Sequence, residues 1–142
     1  MDETELNLSK YRLLRAEEAL SEAEYNLAGE KFRVSLNRSY YAVFYAMRAV
    51  NALDGFDSKK HSGVRSHFRQ QYLKTGKLDK GLSDIIKETI EYREKADYDD
   101  FYVVSVSDAK EQLQNTKKFV QEIKAFLELQ NAEKNRSGRQ GI

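Results

Sequence analysis

The sequence predicts an all-α protein, an antiparallel bundle of four to five helices. The 142 residues contain no proline and only seven glycines, which is little turn chemistry for a β-rich protein of this size. Apolar residues recur at intervals of three and four along most of the chain, the spacing of one helical face. No repeat or linker divides the chain, so we expect one domain over residues 1–130. A frayed or disordered tail is expected over residues 131–142, where this periodicity is lost.

The first two predicted helices carry the clearest apolar stripes. Helix one is predicted over residues 8–28, ending near Gly29, with a stripe of Leu13, Ala16, Leu20, Ala23 and Leu27. Helix two is predicted over residues 30–53, with a stripe of Leu36, Tyr40, Val43, Phe44, Met47 and Val50. The pair Asp54-Gly55 follows it, and glycine is the usual residue after a helix end.

The second half of the chain predicts three further helical segments. Helix three is expected over residues 60–74, where Val64, Phe68 and Tyr72 have helical spacing, and helix four over residues 80–95. A polar loop is expected over residues 96–100. Ser105 with Asp108 then matches a capping box, which predicts the start of a long last helix.

Composition limits the compartment and the partners. The chain has no cysteine, its first residues are acidic, and it lacks the ~18 apolar residues of a membrane span; we expect a cytoplasmic protein that does not contact membranes. The net charge of +1 hides an asymmetry. Residues 58–78 hold six basic side chains and no acid, whereas residues 81–111 hold nine acids and four basic residues. One face can therefore be basic enough for RNA.

Helix two has an unusual second face. Arg38, Tyr41, Tyr45 and Arg48 lie opposite its apolar stripe, and Ala42, Ala49 and Ala52 lie beside them. One interpretation is a central helix packed on both faces within its own domain. The interpretation we favour is the seam of a homodimer with a polar cleft, because tyrosine and arginine are enriched at interfaces and a twofold axis would bring both copies of Arg38 near one groove.

Three short motifs resemble a known family. The run NRSYYAVFYA at residues 37–46 is similar to the Arg-x-Tyr-Tyr-Ala-x-Phe-His-Ala segment of a small stand-alone branch of the HEPN family, and KHSGV at residues 60–64 is similar to a second motif of that branch. Arg93 with ADY at residues 96–98 is similar to a third. The resemblance implies a helical bundle, a homodimer, metal-independent RNA cleavage by an Arg-x(4–6)-His motif, and a minimal nucleotidyltransferase as the partner of a toxin-like protein.

The resemblance also assigns residues. Arg38 matches the family arginine, whose guanidinium stabilises charge on a phosphate oxygen, but Tyr45 stands where the family has its histidine. A phenol with a pKa near 10 is a poor base at neutral pH. The candidate catalytic residues are therefore Arg38, Tyr45 and His61, and the candidate residues for binding nucleic acid or nucleotide are Tyr41, Arg48, Lys60, Arg65 and Arg69.

Several alternatives stay open. His61 either takes part in chemistry or caps its helix or bonds a carboxylate such as Asp97, and His67 is expected to be plain surface. Phe68 and Tyr72 are expected in the core rather than as stacking platforms. With two histidines and no cysteine, neither a metal site nor a cofactor is expected. The two function hypotheses are RNA binding or cleavage, and a non-catalytic dimeric module that binds a nucleotide or another protein.

Overall fold

The computed structural model describes the backbone of residues 3–140 and the side chains of residues 3–135. Over this range it is all-helical, so the predicted fold class is confirmed. The helices are α1 (Glu3–Ala28), α2 (Phe32–Asn51), α3 (His61–Phe68), α4 (Leu82–Tyr98) and α5 (Val106–Gln140). A short 3₁₀ turn, Ala52–Asp54, follows α2, and a π-helical segment, Arg69–Leu73, continues α3.

The central element is α2, which packs against all four other helices and most extensively against α1. Its predicted apolar stripe is buried throughout, with every member at most 6% exposed. Small residues let α1 and α2 lie close together: Ala16, Ala19 and Ala23 of α1 are buried, and the Ser35 hydroxyl donates to the Ala23 carbonyl oxygen at 2.9 Å.

The alanines of the second face of α2 are also used inside the chain. Ala42 and Ala49 are 0% exposed and Ala52 is 2% exposed. These three residues therefore do not line a seam with a second copy, and the interpretation of a helix packed on both faces is correct for them. Only the long side chains of that face remain partly exposed, and they form the site described below.

The helix ends agree with the sequence prediction after α2 and at the start of α5, and they differ from it at the end of α4. Gly55 has φ of 67°, the left-handed conformation that glycine adopts without strain, as its position predicts. The backbone N–H of Asp108 donates to the Ser105 hydroxyl at 3.0 Å, so the predicted serine cap of α5 is confirmed. The loop expected over residues 96–100 is wrong for its first three residues, because α4 continues to Tyr98. Arg33 of α2 holds this extension by donating to the carbonyl oxygens of Ala96 and Tyr102.

The last helix extends past the expected domain boundary at residue 130 and runs as backbone helix to Gln140. Residues 1, 2, 141 and 142, which belong to the predicted domain and tail, lie outside the described residues. The division at residue 130 stays a prediction. In the described part of the chain, no helix is long and apolar enough to cross a membrane.

Candidate functional site

The candidate site is a cluster of aromatic rings and arginines where α2 meets α3 and α4. We call it the α2 cluster and define it by the residues Arg38, Tyr40, Tyr41, Phe44, Arg48, His61 and Arg93. The rings of the three aromatic members on α2 contact one another, with centres 5.2, 6.1 and 6.4 Å apart, so they form a continuous ridge. Tyr40 and Phe44 are buried while Tyr41 is partly exposed, which places the ridge at the edge between core and surface.

His61, the first residue of α3, is fixed against this ridge. Its Nδ1 lies 2.7 Å from the Tyr40 hydroxyl, and its ring centre lies 4.1 Å from that of Phe44. Asp97 is not its partner, because Asp97 pairs with Arg93, and the α3 start has no side-chain cap. The expected alternatives of a cap or an Asp97 bond are therefore wrong, and a buried tyrosine orients the imidazole instead.

Arg93 of α4 covers the tyrosines of the ridge. Its guanidinium carbon lies 4.4 Å from the ring centre of Tyr40 and 5.4 Å from that of Tyr41, within the range of a cation–π interaction. Its Nε lies 3.3 Å from an Asp97 carboxylate oxygen one helical turn later. This ion pair holds the guanidinium over the rings beside His61.

Arg48 is held at the other side of the cluster by Asp57. The Asp57 carboxylate accepts from Arg48 Nη2 at 3.0 Å and from Arg12 Nη2 at 3.1 Å. Arg12 is 7% exposed and also donates to the Arg48 carbonyl oxygen. One carboxylate thus joins α1, α2 and the loop before α3, and it places the Arg48 guanidinium 5.8 Å from the Phe44 ring centre.

Arg38 and Tyr45 lie at the outer edges of the ridge. The Arg38 guanidinium carbon stands 4.9 Å from the Tyr41 ring centre, and its nitrogens bond the side chain of Asn37 and approach Glu22 at 3.8 Å. The Tyr45 hydroxyl accepts from Arg15 of α1 at 3.4 Å. The ring centre of Tyr45 is 6.1 Å from that of Tyr41, so the residue at the family histidine position faces α1 rather than His61.

The electrostatics of the cluster keep the imidazole neutral and the phenol protonated. Burial and the charges of Arg93, Arg65 and Arg48 hold the pKa of His61 below its ordinary value of 6.5. Burial raises the pKa of Tyr40 above 10, despite the opposing charge of Arg93. A neutral imidazole carries one N–H. If Nδ1–H donates to Tyr40, Nε2 keeps a free lone pair and can accept a proton; if Tyr40 donates, Nε2–H can bond a phosphate oxygen.

The remaining predicted residues fall outside the cluster. Lys60 precedes α3 and is exposed. Arg65 lies on the next turn of α3 after His61, close enough for its charge to act on the imidazole. Arg69 lies one turn further along the same side. Phe68 and Tyr72 are at most 3% exposed, so the prediction that they belong to the core is confirmed.

His67 is not plain surface, and that expectation is wrong. Its Nε2 lies 2.9 Å from an Asp54 carboxylate oxygen, and its ring stacks on Phe56 at 4.0 Å. Only 17% of its side chain is exposed. The contact joins the segment after α2 to α3.

Sequence reasoning did not assign Arg93 or Tyr40 to the site. Tyr40 belongs to the apolar stripe of α2 and was predicted only as a core residue, and its burial confirms that prediction. Apolar periodicity carries no information about the hydrogen bond of its hydroxyl group. Arg93 had a signal in the sequence, because it belongs to the third motif with the ADY run. Within the described residues, no three His, Asp or Glu side chains are grouped to hold a metal ion.

The comparisons with known proteins identify the class. A model of the HEPN domain family matches residues 9–127, so this chain belongs to the HEPN family. It is 31% identical over 128 residues to a UPF0332 protein of Thermotoga maritima, covering 90% of this chain and 96% of that one. It is 32% identical over 113 residues to "Putative toxin MJ0142" of Methanocaldococcus jannaschii, covering 80% and 77%. A second protein of that organism named as a toxin, MJ0605, is 32% identical over 83 residues, covering 58% and 62%.

Proposed function

We propose that this chain is a toxin-like HEPN protein that binds RNA at the α2 cluster and cleaves it without a metal ion, with His61 rather than Tyr45 handling the proton. One observation carries the proposal: the charges of Arg93, Arg65 and Arg48 converge on a partly buried imidazole held by Tyr40. Membership of the HEPN family and the toxin names of two relatives support the general role.

The charge balance around the cluster favours an anionic ligand. Five guanidinium groups lie in or beside it, those of Arg12, Arg38, Arg48, Arg65 and Arg93. Three carboxylates pair with these groups: Glu22 with Arg38, Asp97 with Arg93, and Asp57 with both Arg12 and Arg48. Two positive charges are therefore left over at a site that is partly shielded from water, where a phosphate would interact more strongly than on an open surface. Guanidinium groups also match the geometry of phosphate oxygens.

The chemistry needs only groups that the cluster contains. A neutral His61 can take the proton of a 2′-hydroxyl group, so that the hydroxyl oxygen attacks the adjacent phosphorus and forms a 2′,3′-cyclic phosphate. The bond from phosphorus to the 5′ oxygen of the next nucleotide breaks, and that oxygen takes a proton from water. Arg93 stabilises the charge that develops on the phosphate oxygens. The low pKa of His61 keeps it in the basic form at neutral pH, although a weaker base also limits the rate.

The test is incubation of the purified protein with mixed RNAs in EDTA. We expect slow cleavage by the wild-type protein and loss of cleavage in His61→Gln, Arg93→Gln and Arg38→Ala. His67→Gln is the matched control, because it removes the other histidine of the chain, which bonds Asp54 outside the cluster. Cleavage that survives His61→Gln, or that is lost equally in His67→Gln, would refute the assignment.

A non-catalytic binding module is the second candidate, favoured by the environment of Tyr45. Tyr45 stands at the family histidine position, so that position has no imidazole. Its phenol accepts a hydrogen bond from Arg15 of α1. In this case the cluster would bind RNA or a nucleotide, and a minimal nucleotidyltransferase partner would supply the chemistry. Binding of RNA without cleavage by a folded protein would favour this candidate over the first.

We also propose that the protein is a homodimer through the exposed edge of α2 and the adjoining side of α1. Tyr11 and Leu14 of α1 are 56% and 58% exposed, and Arg15, one turn after Tyr11, bonds Tyr45. Exposed aromatic and aliphatic side chains beside arginine are typical of interfaces. Light scattering should give twice the chain mass, and Leu14→Glu should return the protein to a monomer.

A further inference from the structure

A group of basic side chains without a carboxylate partner lies on α3 and on the segment that follows it, beside the α2 cluster. Arg12, Arg38, Arg48 and Arg93 each have an acidic partner. Four other cations line two adjoining depressions on one side of α3, and none of them forms an ion pair with a described residue: Arg65, Arg69, Lys74 and Lys80. We call these depressions together the α3 groove.

The two depressions adjoin each other at Arg69 and Lys74. One, of about 240 Å³, runs along α3 from Ser62 to Lys74, and the other, of about 320 Å³, extends from Arg69 to Lys80 and Ser83 at the start of α4. No described carboxylate lines either one, although Asp79 and Asp84 are sequence neighbours of the lining residues Lys80 and Ser83. Asp79 accepts from the Gly81 backbone N–H at 2.9 Å.

The backbone of the groove has an unusual form. Residues Arg69–Leu73 form a π-helical segment that ends the α3 helix, and π-helix is a rare backbone form in proteins. The Nε of Arg69 is buried without a hydrogen-bond partner among the described residues. Leu73, which is 4% exposed, supplies an apolar part of the wall beside it. A flat guanidinium next to an apolar wall suits a nucleobase as well as a phosphate.

We propose that the α3 groove binds the phosphate backbone of a single RNA strand that leaves the α2 cluster. This deepens the proposed function and rests on it. Arg65 connects the two places, because it lines the groove and its charge also acts on His61. The cations Arg65, Arg69 and Lys74 follow one another along α3 and its π-helical end, so a strand that lies in the groove would present successive phosphates to them. The groove therefore extends the contact by several nucleotides beyond the cluster.

The polar lining suits RNA, and the position of the groove beside the α2 cluster favours RNA over an acidic protein segment. Ser62, Ser66 and Gln70 alternate with the cations along the groove, and hydroxyl and amide groups bond phosphate and ribose as well as they bond carboxylates. What separates the two ligands is the continuity with a cluster that is proposed to hold a phosphodiester. An acidic peptide has no such second anchor.

The experiment compares two uncleavable 2′-O-methyl RNAs, a dinucleotide that fills only the cluster and a strand of about 12 nucleotides, a length within the ~4–16 of known single-strand sites. The groove variant is Lys74→Ala with Lys80→Ala. The matched control, Lys87→Ala with Lys110→Ala, removes the same charge from exposed lysines outside the groove. Circular dichroism melting checks that each variant is folded, and affinities are measured over a salt series.

Loss of two phosphate contacts should weaken binding of the long strand about 25-fold at ~0.1 M salt and reduce the slope of log K against log salt by about 1.4. The dinucleotide affinity should not change, nor should either affinity in the control. Equal weakening in the control, or no weakening in the groove variant, would overturn the groove. Equally tight binding of a polyglutamate peptide would overturn the assignment to RNA.

A third variant separates this inference from the proposed function. If Arg93→Gln abolishes dinucleotide binding while the groove variant binds the long strand normally, the groove is wrong and the cluster stands. If Arg93→Gln has no effect while the groove variant loses the long strand, the cluster is wrong and RNA binds on α3 alone. A wild-type protein that binds neither RNA overturns both.

Discussion

Replacing Asp57 by asparagine should destabilise the fold by about 2 kcal/mol at neutral pH. The carboxylate accepts charge-assisted bonds from Arg12 and Arg48, and hydrogen bonds to charged groups contribute roughly 1.5–3 kcal/mol each. Asp57 is half exposed, which lowers that figure through solvent screening, whereas Arg12 is only 9% exposed in its side chain and would lose its carboxylate partner. For a chain of this length, ~2 kcal/mol lowers Tm by about 7 °C.

The pH dependence of this effect has a defined sign. Burial alone would raise the pKa of Asp57. The pKa is nevertheless held below its ordinary value of 3.8 by hydrogen bonds from Arg48 and the Ser58 backbone and by the nearby positive charges. A group whose pKa is lowered by folding stabilises the fold above its unfolded pKa, and the contribution is lost as the pH falls through the folded pKa. The difference between wild type and Asp57→Asn should therefore be constant from about pH 5 to 8 and shrink below about pH 4.

Urea denaturation of both proteins at a series of pH values measures this difference. Lys87→Ala, an exposed change with no partner in the described structure, is the control for solvent and charge effects. A difference that stays constant down to pH 3, or that grows as the pH falls, would refute the role of the Asp57 carboxylate as the acceptor that joins Arg12 and Arg48.

Three further predictions test other parts of the account. Gly63→Ala should destabilise the protein by about 1–3 kcal/mol in urea melts, because its Cβ would lie 2.4 Å from the Ser58 hydroxyl oxygen; adding Ser58→Gly should recover part of the loss. Phe119→Ala, at a site 0% exposed, should cost about 3–5 kcal/mol, and a loss below ~1 kcal/mol would contradict the core assignment. Tyr45→His should keep the fold, since that side chain is partly exposed, and should leave RNA cleavage in EDTA unchanged, because position 45 faces α1 rather than His61; increased cleavage would show that position 45 reaches the bound phosphate and would contradict the assignment of the proton to His61.

The positions of α1, α2 and α3 could be predicted from the sequence, because their apolar residues recur at helical spacing and no proline interrupts them. The end of α4 was not readable. The run at residues 96–100 is polar and rich in aspartate, which indicates a loop, yet Arg33 bonds the carbonyl oxygen of Ala96 and Asp97 pairs with Arg93 one turn earlier. These contacts extend the helix by three residues, and one of them joins positions more than sixty residues apart in the chain.

The residues of one helix face could be predicted from the sequence, but the contacts between helices could not. Helical spacing places Arg38, Tyr41 and Arg48 on one side of α2, and their role in a site stays a prediction. The bond between His61 and Tyr40 depends on where α3 crosses α2, and no periodicity reports that crossing. The placement of His67 against Phe56 likewise depends on the closure of a loop, which explains why a residue in a basic, polar stretch is largely covered.

The most direct test of the central claim is an NMR pH titration of the histidine side chains, with and without the 2′-O-methyl dinucleotide. The chain has two histidines, so His67, outside the cluster, serves as the internal control. In the free protein the pKa of His61 should lie below 6.5. A phosphate bound beside it should raise that pKa, because a nearby negative charge favours the imidazolium form, while His67 stays unchanged. If the dinucleotide binds and His61 does not shift, or if His67 shifts as much, the phosphate does not bind at the α2 cluster.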